Sequence, residues 1–121
     1  MSFGTHLQFD LQGCKKGTSA PHVIYQVLEN LVGELKMERL SGPHLASYVD
    51  DPKDTLHCHC GIMICEMGHI VLRTFMSSKA CLLDVFSCQP VDEAIVLASI
   101  KLYFEPDRCD CNEQERGVFR E

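Results

Sequence analysis

The chain has 121 residues, a formal net charge of −6 and a hydrophobic fraction of 45%, which suits one domain spanning residues 1–121 with a modest core. Its Lys and Arg residues are scattered, with only Lys15 and Lys16 adjacent, so it lacks the basic stripe that nucleic-acid binding needs. No apolar run approaches the roughly 20 residues of a membrane span, and the first residues carry no basic-then-apolar export pattern; the expectation is a cytoplasmic protein whose eight cysteines are free thiols rather than a disulfide framework.

The first segment alternates. Leu7, Phe9 and Leu11 share one face and His6, Gln8 and Asp10 the other, which predicts a half-buried strand over 5–12 with a wet outer face. Gly13 and the polar run 15–19 end it. Pro21 suits the first position of a helix, because the donor it lacks would be unpaired there anyway. Ile24, Val27, Leu28, Leu31 and Leu35 then recur at helical spacing over about four turns. The signal from 40 to 54 is poor: a short strand at 45–49, then a turn or loop through Asp50, Asp51, Pro52, Lys53 and Asp54. Three β-prone runs follow, at 56–65, 69–75 and 80–86, joined at Met67-Gly68 and at 76–79. They predict an antiparallel meander. Pro90 opens a second helix whose apolar stripe is expected at Val91, Ala94, Ile95, Ala98 and Leu102. Cys109-Asp110-Cys111 reads as a short edge strand, and 112–121 as a polar tail that frays.

Strand, helix, three strands, helix and short strand fit an α+β two-layer sandwich, one antiparallel sheet with both helices on one face. The other face is then free for a site or for a symmetric dimer.

Chemistry concentrates between His57 and Cys88, where five of the eight cysteines and three of the six histidines lie. His57-Cys58-His59-Cys60 places four potential metal ligands in four residues, and thiolate with imidazole suits zinc, iron or copper. On a strand, however, Cys58 and Cys60 face one way and His57 and His59 the other. Two of them could combine with Cys65, His69 or Cys88 across the sheet. Cys109 and Cys111, with Cys14, are a second such group. Cys65 and Cys81 read as core packing; Met63, Met67 and Met76 read as strand or turn hydrophobes, though as soft ligands they could assist copper.

The chain resembles the small bacterial and archaeal S-adenosylmethionine decarboxylase proenzymes. The resemblance rests on Gly4-Thr5-His6-Leu7 with Asp10 and Gly13-Cys14, on Cys60-Gly61 entering a β-run, on His69 fifteen residues before Asp84, on Asp84-Val85-Phe86-Ser87-Cys88, and on Glu113-Gln114-Glu115-Arg116-Gly117. It spans nearly the whole chain. Members of that family cut their own chain at a serine and convert it into a pyruvoyl group, which holds the substrate amine as a Schiff base while CO2 leaves. The resemblance puts that serine at Gly68, the preceding glutamate at Met67 and an earlier serine at Glu66. A histidine that assists processing falls on Arg73, a processing serine on Cys60, and the proton-donating cysteine on Cys88, which is retained. The family's tryptophan-proline-glutamate is replaced by Phe75-Met76-Ser77.

Glycine has no hydroxyl, so it can neither perform the acyl shift nor become pyruvate. Arginine stays protonated near neutrality and cannot exchange protons as an imidazole does. The expectation is therefore an unprocessed chain without a pyruvoyl group. Three readings stay open. The first is a repurposed member that takes S-adenosylmethionine, a related nucleoside or an amine in a pocket lined by Glu66, Gly68 and Arg73, with Cys60, His69 and Cys88 as its chemical groups. The second is a transition-metal protein built on His57, Cys58, His59 and Cys60. The third is a catalytically inactive subunit that partners a working paralogue, or a homodimer that reuses the free sheet face.

Overall fold

The structure is a computed structural model that describes residues 2–48 and 57–119. Six strands form one antiparallel sheet: β1 (Gly4–Gln12), β2 (Arg39–Tyr48), β3 (Cys58–Cys65), β4 (Gly68–Phe75), β5 (Ala80–Ser87) and β6 (Arg108–Arg116). Their spatial order is β2-β3-β4-β5-β1-β6. Helices α1 (Pro21–Glu34) and α2 (Glu93–Phe104) cover one face, giving the expected α+β two-layer sandwich. The expected turn at 50–54, Val49 and the first residues of the 56–65 run lie outside the described residues.

Strand parity sorts the side chains. Leu7, Phe9 and Leu11 of β1 pair with Val85, Leu83 and Cys81 of β5. Ile70 and Leu72 of β4 continue these rows from Val85 and Leu83, and all are buried. Met63 extends one row onto β3, opposite Ile70. Helix α1 lays Ile24, Val27, Leu28 and Leu31 on this surface, as its spacing predicts. It sits closest over Gly61, where an added Cβ would overlap Ile24 and come within 2.7 Å of Leu45 and 2.9 Å of Leu28. Glycine at that point lets the helix approach the sheet.

The second helix corrects the expectation. It begins at Glu93, with Asp92 as its N-cap accepting from the Ala94 amide at 2.9 Å; such a cap is worth about 1 kcal/mol. Its buried residues are Val96, Ser99, Ile100 and Phe104. Ala94, Ala98 and Leu102 are exposed, and Val91 and Ile95 only half-buried. Apolar residues lie nearly all round this helix, so its period had two solutions. The structure adopts the one that includes Ser99, which is buried and accepts from Asn30 Nδ2 on α1 at 3.3 Å.

Both edges are also longer than expected. β2 starts at Arg39 rather than near Leu45, with irregular pairing to β3 between Arg39 and His44. β6 runs on to Arg116 in continuous register with β1, so residues 112–116 are strand and not a frayed tail.

Candidate functional site

The face opposite the helices carries the other parity. From β3 it shows Cys58, Cys60, Ile62 and Ile64; from β4, His69, Val71, Arg73 and Phe75; from β5, Leu82, Asp84 and Phe86; from β1, His6, Gln8 and Asp10. At one end lies a cavity of about 400 Å³ lined by Phe3, His6, His69, Phe86, Arg116, Gly117 and Phe119. His6, Phe86 and His69 form one row across three strands. The His69 ring stacks on Phe86 at 5.5 Å between centroids, and Phe3 meets Phe119 edge-on at the same distance. His6 Nε2 lies 3.0 Å from Asp84 Oδ1, one diagonal step across the β1–β5 pair. A carboxylate on one ring nitrogen fixes the imidazole's tautomer and turns its other nitrogen toward a ligand. The cavity thus offers flat aromatic surfaces, two imidazoles and a guanidinium.

Gly68 sits one row beyond His69 and pairs with Cys65 on one side and Ser87 on the other. The Cys88 amide donates to Met67 O at 2.8 Å just past this pair. A Cβ on Gly68 would overlap the Phe86 carbonyl oxygen and lie 2.9 Å from the Phe86 carbonyl carbon and 3.0 Å from Ser87 Cα. All three obstacles are main chain, which cannot swing aside as a side chain would. Position 68 therefore has neither a hydroxyl nor room for one. These residues do not fit a pyruvoyl group.

The structure does not gather Cys60, His69 and Cys88 into one pocket within a single chain. Cys60 pairs with Arg73, five residues along the strand from Gly68, or roughly 16 Å at a strand's rise. Cys88 borders a separate depression of about 260 Å³ with Thr5, Leu7, Ser87 and Glu113, on the helix-side parity. Glu66 lies in the β3–β4 turn beside Lys36, Met37 and Met67, away from Arg73. Of the anticipated residues, only His69 lines the cavity of about 400 Å³. In sequence its companion His6 lies on the wet face of a strand and Phe86 within a short motif; His6 and Asp84 are 78 positions apart, and only sheet register brings them together.

The His57–Cys60 run divides as strand parity requires. His59 faces the helices, 6% exposed, with Nδ1 2.6 Å from Ser47 Oγ, and His57 packs edge-on at 6.5 Å between ring centroids. Cys58 and Cys60 face the open side, where Arg73 Nη1 reaches Cys58 Sγ at 3.5 Å. Among the described residues no three His, Cys, Asp or Glu side chains converge on one point. Cys14 and Cys81 are buried with their thiols 3.8 Å apart, and burial pushes both thiols up. It does the same for Cys65 and Cys109. The Cys111 thiol is pushed up to about 12, first by burial and then by Glu93. Protonated thiols are poor nucleophiles and poor ligands.

Residues 5–117 match the S-adenosylmethionine decarboxylase family, and the chain belongs to it. The crystal structure of the adenosylmethionine decarboxylase from Aquifex aeolicus VF5 is similar to it in fold, with a TM-score of 0.80 at 24% identity, covering 99% of this chain and 95% of that one. No curated protein matches the sequence. Among the described residues no helix is long and apolar enough to cross a membrane.

Proposed function

We propose that this member of the family neither cuts its own chain nor carries a pyruvoyl group, and that it binds S-adenosylmethionine, a related nucleoside or a related amine without the family's decarboxylation chemistry. The observation that carries the reading is the closure of position 68 by the Phe86 carbonyl. The ligand's place is the cavity at His6, His69 and Phe86, whose rings suit a flat heterocycle and whose Asp84-anchored imidazole is a ready hydrogen-bonding group. The decisive measurement is an intact mass spectrum with calorimetry. The expected result is one chain near 13.6 kDa that binds S-adenosylmethionine or its nucleoside analogues and releases no CO2. Two fragments with pyruvate at the new N-terminus would overturn the reading.

A second reading has an observation of its own. The open face shows Ile64 and Leu82 about 40% exposed, with Ile62, Val71 and Phe75 half-buried beside them. A flat apolar sheet face of this kind is suited to another subunit. On this reading the chain is a non-catalytic partner of a working decarboxylase, or a homodimer. Mixing it with an active enzyme of the family distinguishes them: a heteromer with altered CO2 release supports the partner role, and self-association alone supports the homodimer.

A further inference from the structure

The Cys58–Cys60–Arg73 group lies at the opposite end of the open face from the cavity, and the proposed binding function makes no use of it. The two cysteines alternate with His59, so they project side by side with their Cβ atoms roughly 7 Å apart, twice the strand rise. That is well beyond the roughly 4 Å between Cβ atoms that a disulfide requires, so the pair stays as two separate thiols while the strand is intact. It is a span that two sulfur arms cover when they close on a shared ion. Ala46, small and exposed, stands opposite Cys60 on β2. Arg73 stands opposite Cys60 on β4, and its Nη1 donates to Cys58 Sγ at 3.5 Å, so one cation lies beside the pair.

We propose that Cys58 and Cys60 bind a soft monovalent ion in two-coordinate fashion, with copper(I) as the natural member of that class, and that Arg73 neutralises the complex. The donor count selects the ion. Zinc takes four ligands in its structural sites, and no third His, Cys, Asp or Glu converges here among the described residues. Copper(I) is soft and favours thiolate. Charge decides in the same direction. Two thiols each give a proton to solvent, the two thiolates and the ion together carry one negative charge, and the Arg73 guanidinium cancels it. The other close thiol pair, Cys14 and Cys81, has no such cation and is sealed in the apolar core, where a net negative complex is strongly disfavoured.

The test is a titration of the reduced full-length chain with copper(I) under anaerobic conditions, against the coloured chelator bicinchoninate. One ion per chain is expected to leave the chelator. Cys60→Ser and Cys58→Ser should each weaken uptake at least a hundredfold, and Arg73→Leu about tenfold with the stoichiometry kept. Cys111→Ser should change nothing. Zinc(II) at the same concentrations should leave the complex intact. Cys60 is half-buried on the open face, so Cys60→Ser decides the matter even if Cys58→Ser fails to fold, with circular dichroism as the fold check. Undiminished copper uptake by Cys60→Ser, or a tight zinc complex lost in that variant, would overturn the proposal. Neither result touches the closure of position 68, which the mass spectrum tests separately.

Discussion

The two ends of the sheet are built from the same strands and differ in what surrounds a glycine at each. At the Gly68 end, β5 runs so close that its Phe86 carbonyl occupies the place of a side chain. One row inward, His69, Phe86 and His6 line the cavity, with Asp84 against His6. At the Cys60 end, Cys58, which is buried, and Cys60, which is half-buried, stand on consecutive same-face positions of one strand. The first end is shaped by backbone, so substitution there is costly. The second is shaped by side chains, so it tolerates exchange.

The largest effect is expected from Gly68→Ser. Restoring the hydroxyl should not restore self-cleavage, because the new Cβ meets main chain on β5; the variant is expected to lose about 3 kcal/mol or more of stability, as overpacking against a rigid neighbour does, and to stay uncut in a mass spectrum. Efficient cleavage of this variant would erase the contrast between the two ends. Gly61→Val is the matched substitution at the other end. Its obstacles are the side chains of Ile24, Leu45 and Leu28, which can rotate, so about 2 kcal/mol is expected. Denaturant melts of the two variants rank them, and equal losses would show that the main-chain and side-chain obstacles are equivalent.

Alkylation by iodoacetamide at pH 8 sharpens the comparison among thiols. Cys88 and Cys111 are both exposed, but the Cys111 thiol is pushed up from 9.0 to about 12. A higher pKa means less thiolate at pH 8, so Cys111 should label at least tenfold more slowly than Cys88. Cys14 and Cys81 should remain unlabelled until the protein unfolds, as peptide mass mapping would report; early labelling of Cys81 would contradict its burial. The smallest effect is expected from Asp84→Asn. The His6–Asp84 contact is partly exposed, so its loss should cost less than about 1 kcal/mol while weakening ligand binding in the cavity several-fold. Calorimetry on the folded variant separates the two, and unchanged affinity would remove Asp84 from the site.

Much of this molecule is legible in its sequence where burial is one-sided. The alternation of Leu7, Phe9 and Leu11, the stripe of α1 and the three-strand meander each have one apolar face, and each lies where its period puts it. Elements without that contrast are not legible in this way. α2 is apolar nearly all round and hides Ser99 inside. Of β6 only 109–111 reads as strand, because residues 112–116 are polar and exposed on both faces, and pairing with β1 is what orders them. The site divides along the same line. Local counting separates Cys58 and Cys60 from His57 and His59, but only the register of β1 against β5 joins His6 to Asp84. The distance between Cys60 and Cys88 is equally a matter of register, which short motifs do not encode.

The pleat of β3 has a wider consequence. Met63 and Cys65 are drawn into the core, and their burial fixes which residues of the strand look outward. The thiols at 58 and 60 are presented by counting back from that anchor, not by anything in their own surroundings. A single-residue insertion between Cys60 and Met63 would hand the outer face to His57 and His59 and turn the sulfurs toward α1, with no ligand residue altered. For this strand the core acts as an address system: changing one digit reassigns every group upstream of it.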